Sequence, residues 1–249
     1  GRVPLEGVYP LSARHLDTVG PMAANVNRLV EGMDLLDPGF AGEYRRAVAA
    51  QPHGRTLRVA RLYLPGTRPS IDAAVDPGLR MAGFDLVKVR DEVAGEWEQA
   101  HDDGNTVATV DGWLTNRSLA SHAEVSDLAK AAMLLGNLEY PDGYQEALSR
   151  REAWRATLRR LFEEVDLIAL PTLKRRPLHL PLLGGTPLLE VEMLAAQNTV
   201  AVNFAGNPAV AVPVPMADSD LPASLQFVGP MNGEAELLNA ARLVETKVP

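Results

Sequence analysis

Apolar residues form several short continuous runs along the chain, and each run predicts a β-strand. Residues 209–214 are the clearest case, because six apolar residues are too few for a buried helix and suit a strand covered on both faces. Gly206 and Pro208 stand just before this run and predict a sharp turn that leads into it. Further strands are predicted at residues 57–64, 84–89, 165–173 and 224–230.

Apolar residues at helical spacing connect these runs. Pro21 fits the first turn of a first helix, and Asp37, with the Pro and Gly that follow it, ends that helix. Ser121 and Glu124 are spaced as a capping box within a weaker helical pattern at residues 104–145. The clearest amphipathic helices are predicted at residues 144–164 and 234–247.

The order of the predicted elements indicates the fold class. Strands that alternate with helices along a chain predict an α/β layered fold. Residues 40–54 are polar, contain Gly and Pro, and predict no regular element. Because no repeat or linker interrupts the pattern, we interpret residues 1–249 as a single domain.

Composition limits the classes of function. The chain has 24 Lys and Arg against 32 Asp and Glu, and this net charge of -8 argues against a general affinity for nucleic acid or for an anionic membrane. It contains no cysteine, so a disulfide framework, a thiolate nucleophile and a Cys-ligated metal are all excluded within it. No apolar run reaches membrane-spanning length, and we predict a cytoplasmic protein.

Nucleophile and nucleotide motifs are not found in the sequence. It has no Gly-x-Ser-x-Gly elbow, Ser-x-x-Lys, phosphate loop or dinucleotide fingerprint, and its five histidines are scattered without a ligand-like pair. Ser12, His15 and Asp17 are neighbours on one segment, but a working triad is assembled from separated segments. Asp17 and Thr18 therefore fit a turn or cap, and the His-Asp-Asp-Gly run at residues 101–104 fits a solvated turn better than a metal loop.

Basic residues are concentrated in one part of the chain, which raises the question of a polyanion partner. Glu146, Glu152, Glu163 and Glu164 are interspersed among them, so a solvent-exposed face with salt bridges is favoured over a nucleic-acid site. The basic residues are Arg150, Arg151, Arg155, Arg159, Arg160, Lys174, Arg175 and Arg176.

Four segments together resemble the C-terminal half of amidase-signature hydrolases. They are GRVPLEGVYPLSARHLDTVGPMAANV, FEEVDLIALPTL, NFAGNPAVAVPV, and LPASLQFVGP followed by EAELLNAA, in the order that the family has. The resemblance implies a mixed β-sheet core covered by helices on both faces, with residues 1–249 as the C-terminal portion of an amidase domain. Residues 40–145 match poorly, and AVDPGLRMAGFDLVKV leaves little room for the long helix that the family has before such a strand.

The resemblance also implies a reaction. Such enzymes hydrolyse carboxylic amides to acid and amine with a Ser nucleophile, a second Ser in a cis peptide and a Lys, and they use no metal or organic cofactor. In the family those residues precede the segment that resembles residues 1–22, so we expect no catalytic residue on this chain. The implied partners are the N-terminal catalytic half, on the same or a separate chain, and a small amide substrate. Nucleic acid and membrane are not implied, and a homo-oligomer is compatible with the sequence.

The same resemblance supplies candidates for substrate contact. It places residues 203–214 behind the acyl pocket and makes Asp17, Thr18, Gln197, Thr199 and Asn203 the candidate substrate-binding residues. No Arg or Lys occurs between Arg176 and Arg242, which favours a neutral aliphatic or aromatic amide. Two alternatives stay open: an A-type amidotransferase component that acts on glutamine, and a non-catalytic binding or assembly module.

Overall fold

A computed structural model describes residues 2–12, 14–50, 56–178 and 192–248. Its five described strands form one mixed sheet in the order β2-β1-β3-β5-β4. The first three of these run parallel, and β5 is antiparallel to both of its neighbours. The strands are β1 (Arg58–Arg61), β2 (Asp85–Lys88), β3 (Leu167–Pro171), β4 (Ala209–Met216) and β5 (Ser219–Val228). The predicted mixed α/β fold is confirmed.

Helices lie on both faces of this sheet, as predicted. One layer contains α1 (Val26–Leu36), α2 (Phe40–Ala50), α3 (Pro69–Ala82) and α8 (Glu234–Lys247). The opposite layer contains α4 (Asp91–Asn116), α6 (Asp142–Glu164) and α7 (Val200–Ala205), and α5 (Asp127–Glu139) packs mainly on α4.

Alternation of side chains along the strands divides the core between these two layers. Val59 of β1 and Phe227 of β5 face the first layer, whereas Ala60 and Val228, the next residue in each strand, face the second. Consecutive strand residues are therefore buried on opposite sides of one sheet, which explains why the run in β3 is continuously apolar.

Several predicted elements agree with the structure. The strands at 84–89 and 165–173, and the helices at 144–164 and 234–247, correspond to β2, β3, α6 and α8. β1 is shorter than the predicted 57–64. The first helix does end before Asp37, but Asn25 caps its start with a side-chain oxygen that accepts from Arg28 N at 2.9 Å, so Pro21 lies outside it.

Three predictions about the first half of the chain are wrong. Residues 40–54, predicted to lack structure, contain α2, whose buried residues are Phe40 and Tyr44. Residues 101–104 are not a turn but the middle of α4, where Asp103 is buried. The N-cap of α5 is Ser126, whose hydroxyl accepts from Ala129 N at 3.2 Å, and not the predicted capping box.

The segment before β2 holds more helix than we expected. α3 has 14 residues and contains Pro77 in its interior. Pro69 occupies its first turn, where a missing N–H costs no helical hydrogen bond. Gly83 ends it at φ +84°, a left-handed conformation that glycine adopts without strain.

Strand β4 lies at an edge of the sheet and not at its centre. Its residues alternate, with Ala209, Ala211, Pro213 and Pro215 exposed and the residues between them buried. The prediction of a strand covered on both faces is therefore wrong for this chain. The buried residues contact the layer of α3 and α8, and within the described residues no helix covers the opposite face of β4.

Candidate functional site

The carboxyl end of β3 carries a network of neutral polar groups. Thr172 N donates to Ser224 O at 2.7 Å, and the hydroxyl oxygens of the two residues lie 2.8 Å apart. Asn198, only 1% exposed, donates from Nδ2 to Pro171 O at 2.8 Å and from its backbone N to Thr172 O at 2.9 Å. These bonds fix the chain around Asn198 against the end of the strand.

Gln226 of β5 extends this network toward the open edge of the sheet. Its side chain is buried and donates to Asn198 O at 3.3 Å. The strand register places Gln226 between Leu170 of β3 and Ala211 of β4 on one face of the sheet. The network therefore lies where that face passes from its helix-covered part to the uncovered part on β4.

Three of the predicted substrate-binding residues lie next to this network. Gln197 forms an isolated bridge with Leu173, and Thr199 Oγ1 donates to Gln197 Oε1 at 3.1 Å. Asn203 follows four residues later on α7, and its side chain makes no hydrogen bond to another described residue. All three are half-buried. The structure thus places them on one short segment that Asn198 anchors.

Helix α6 holds the other end of that segment. Guanidinium groups near the end of a helix satisfy its terminal carbonyls and oppose the negative end of its dipole. Three side chains of α6 bind carbonyls of α7: Trp154 Nε1 to Ala201 O at 2.8 Å, Arg151 Nε to Phe204 O at 2.6 Å and Arg155 Nε to Ala205 O at 2.7 Å.

Two glycines allow this packing. Gly206 ends α7 at φ +89° and donates to Val202 O at 2.9 Å, which confirms the predicted sharp turn before β4. Gly104 of α4 faces α7, and a Cβ there would lie 2.7 Å from Val200 Cγ1. The short helix is therefore held closely between α4 and α6.

The basic cluster has two roles in the structure. Arg150 pairs with Asp103 at 2.5 Å and Arg159 with Glu152 at 2.8 Å, as expected of a face with salt bridges. The hydrogen bond to Asp103 raises the pKa of Arg150. Arg151 differs, because it binds backbone carbonyls, and burial together with the nearby charge of Arg155 lowers its pKa.

The predicted residues near the start of the chain are in a different loop. Asp17 accepts from Leu11 N and Ser12 N, both at 2.9 Å, and these contacts fit the turn interpretation of Asp17. Thr18 is exposed. Arg151 Nη2 donates to His15 O at 2.7 Å, so this loop and the end of α7 share one guanidinium.

The neighbouring Ser12 and His15 do not form a triad with Asp17. Both side chains instead bind the buried carboxylate of Asp111 on α4, His15 through Nδ1 at 2.8 Å. Tyr144 OH donates to the same carboxylate at 2.7 Å, and burial together with this hydrogen bond raises the pKa of Tyr144. A triad would require a bond between the Ser and the His.

Sequence reasoning missed Asp111, Arg151, Asn198 and Gln226. Arg151 stood out only as one of the concentrated basic residues, and Gln226 gave a signal as a polar residue between Leu225 and Phe227. The others depend on contacts between residues far apart in sequence.

The two cavities described for this structure are not at the candidate residues. They have volumes of about 330 and 380 Å³, and one lies between β1, β2 and the start of α4, the other between α4 and α6. None of Asp17, Thr18, Gln197, Thr199 and Asn203 lines either cavity.

Among the residues described, no group of three or more His, Cys, Asp or Glu side chains is arranged to hold a metal ion. In the same part of the chain, no helix is long and apolar enough to cross a membrane.

Comparison with known families gives a match over most of the chain. The Amidase family model matches residues 1–238. The chain is 28% identical over 292 residues to a glutamyl-tRNA(Gln) amidotransferase subunit of Halobacterium salinarum, covering 98% of this chain and 68% of that protein. It is also 28% identical over 260 residues to the 2-amino-5-chloromuconic acid deaminase of Comamonas testosteroni, covering all of this chain and 54% of the deaminase.

Solved structures share the fold. A bacterial aryl acylamidase of the amidase signature family superposes with a TM-score of 0.76 at 19% identity, over 99% of this chain and 56% of the acylamidase. A protein from a vestigial complex, described as revealing the origins of an s-triazine catabolic enzyme, gives a TM-score of 0.78 at 22% identity over 100% of this chain and 57% of its own. The chain thus spans little more than half of these solved chains.

Proposed function

The chain belongs to the amidase-signature family, and from this premise we propose that the protein it forms part of hydrolyses a carboxylic amide to an acid and an amine. In this proposal the chain is the C-terminal half of the amidase and supplies part of the substrate pocket. The observation that carries the proposal is the family match over residues 1–238, supported by a fold shared with an aryl acylamidase.

The proposed chemistry is that of the Ser–cis-Ser–Lys arrangement. The nucleophilic Ser oxygen attacks the amide carbonyl, and its proton passes through the bridging Ser and the Lys to the leaving amine. Backbone N–H groups stabilise the oxyanion, and water then hydrolyses the acyl-Ser ester to release the acid. Because no Ser or Lys of this chain matches these positions, we assign them to the N-terminal half, on the same or a separate chain.

The open face of β4 is where we place that half. Ala211 and Pro213 are small, apolar and exposed, and the register puts them beside Gln226 and Ser224 of the polar network. A catalytic half packed on this face would close the surface beside residues 197–203 into a pocket. The pocket wall would then be neutral, which suits an uncharged amide.

Glutamine is the alternative substrate. The Halobacterium relative is named as part of an amidotransferase, and this observation favours a related role here. Glutamine carries an ammonium and a carboxylate, and burying them requires charged or strongly hydrogen-bonding partners. The absence of Arg and Lys between Arg176 and Arg242 leaves a glutamine carboxylate without a cation from that stretch, so we rank a neutral amide first.

The test is an assay of this chain alone and after co-expression with the N-terminal half. Aliphatic amides, aromatic amides and glutamine are supplied separately, and release of acid and amine is measured. We expect hydrolysis of a neutral amide only after co-expression, with loss of activity when the matching Ser or Lys of the N-terminal half is replaced. Activity on glutamine alone would support the amidotransferase. Hydrolysis by this chain alone would contradict the placement of the catalytic residues, and no hydrolysis of any amide would favour the non-catalytic module.

A further inference from the structure

We propose that Arg151 is a positioning residue that couples the loop carrying Asp17 and Thr18 to α7, which carries Asn203. The role of Arg151 in substrate positioning rests on the function proposed above. The coupling between the two segments rests only on the contacts of the Arg151 guanidinium.

One guanidinium makes both connections. Nε of Arg151 donates to Phe204 O at 2.6 Å, and Nη2 donates to His15 O at 2.7 Å. The guanidinium carbon also lies over the Phe204 ring, 5.4 Å from its centroid. A guanidinium is planar and presents its donors in a fixed fork, so the two carbonyls are held at a set separation.

The two carbonyls lie next to the candidate pocket residues. Phe204 follows Asn203 directly, and His15 stands three residues before Thr18. The loop is attached at its other side through Asp111 on α4, which binds the His15 side chain at 2.8 Å. The loop is thus held by Asp111 on α4 and by Arg151 on α6. Because Arg151 also binds α7, it fixes the position of the loop relative to that helix.

Arg155 provides a matched control on the same helix. Its Nε donates to Ala205 O at 2.7 Å, so it supports the same end of α7 as Arg151 does. Its other ion contact is with Glu152 at 3.9 Å, and it forms no hydrogen bond to the loop within the described residues. Arg155→Met therefore removes a similar helix-end contact without touching the loop.

Amide hydrogen exchange on the purified chain tests the coupling without any assay of activity. Leu16 N bonds to Ser12 O in the loop and Gly206 N bonds to Val202 O at the end of α7, both at 2.9 Å, so each amide reports on one segment. Arg151→Met should speed exchange at both amides by roughly tenfold or more, because two charge-assisted bonds are lost. Arg155→Met should affect Gly206 only. Faster exchange at one amide alone, or at neither, in Arg151→Met would overturn the coupling.

Activity of the complete enzyme tests the positioning role. Arg151→Met should lower kcat/KM for a neutral amide by roughly tenfold or more, since small misplacements of substrate are costly in rate. Arg151→Lys should be intermediate, because an ammonium cannot reproduce the fork. The exposed Arg159→Met is the unaffected control. When Arg151→Met and Asn203→Leu are combined, the fall in the logarithm of kcat/KM should be smaller than the sum of the falls in the two single variants.

The outcomes separate the two proposals. If the unsubstituted complete protein hydrolyses no amide, the proposed function fails while the exchange data still decide the coupling. If it is active and Arg151→Met lowers the melting temperature but leaves kcat and KM unchanged, the positioning role is wrong.

Discussion

Three asparagines lie within ten residues around α7, and their side chains have different surroundings. Asn198 Nδ2 donates to Pro171 O and Asn207 Nδ2 to Gly229 O, both at 2.8 Å. Asn203, between them, is half-buried and has no such partner in the described part of the chain. A half-buried amide without an internal partner remains available to a ligand, whereas the other two amides hold the fold.

This contrast gives a prediction for Asn203→Leu. Because no internal hydrogen bond is broken, the free energy of unfolding should change by less than about 0.5 kcal/mol. Asn198→Leu, which leaves the buried carbonyl of Pro171 without its side-chain donor, should lose about 1–3 kcal/mol. In the complete enzyme, Asn203→Leu should nevertheless lower kcat/KM or change substrate preference. Thermal melts and kinetics on the same samples check this, and equal destabilisation by the two substitutions would assign Asn203 a structural role.

At the scale of whole elements, one arginine joins three helices. Arg2 bonds to Asp37 after α1 at 2.5 Å, to Glu43 of α2 and to Glu234 of α8 at 3.5 Å, and it lies over the Phe40 ring at 5.0 Å. These contacts explain why α2 could not be predicted. Only two residues of α2 are buried, and the position of the helix depends on the side chain of Arg2, which is far away in the sequence.

The Arg2 cluster predicts a specific pH dependence. The hydrogen bond from Arg2 lowers the pKa of Glu43 below its usual 4.5. A carboxylate with a depressed folded-state pKa stabilises the fold above its unfolded pKa, and the contribution is lost as pH falls through the folded value. Arg2→Met should therefore destabilise the chain more at about pH 7 than at about pH 3.5, because the contribution of ionised Glu43 starts to be lost once the pH falls below its unfolded pKa.

Urea unfolding at both pH values measures this difference. Arg28→Met is the control, because the Arg28–Glu31 pair is exposed and such pairs contribute little. If the destabilisation by Arg2→Met were the same at both pH values, ionised Glu43 would not be its cause.

At the scale of the molecule, the sequence predicted the elements with a regular apolar pattern and missed those stabilised by polar contacts. β3 was recognised as a short apolar run that is buried throughout, and α6 because its buried residues recur at helical spacing. Only the second half of α4 lies within a predicted helical pattern, the weak one at residues 104–145, because Asp103 and Asp111 are among its buried residues and only pairing with distant groups explains them. For the site, the family resemblance proposes the segment at 197–203, and this stays a prediction. Its anchors Asn198, Gln226 and Arg151 could not be predicted, since each acts across 27 or more residues.

The edge position of β4 leads to a prediction about assembly. Ala211 is exposed, so Ala211→Lys should leave the melting temperature of this chain nearly unchanged. If the catalytic half packs on this face, the same substitution buries an unpaired charge on assembly and should abolish both co-purification and amide hydrolysis. Ala49→Lys is the matched control, because Ala49 is exposed on α2 in the opposite layer. This substitution should leave co-purification and amide hydrolysis unchanged. Normal assembly of Ala211→Lys would show that the catalytic half lies elsewhere. A lower melting temperature of the isolated Ala211→Lys chain would show that the β4 face is already covered by this chain itself.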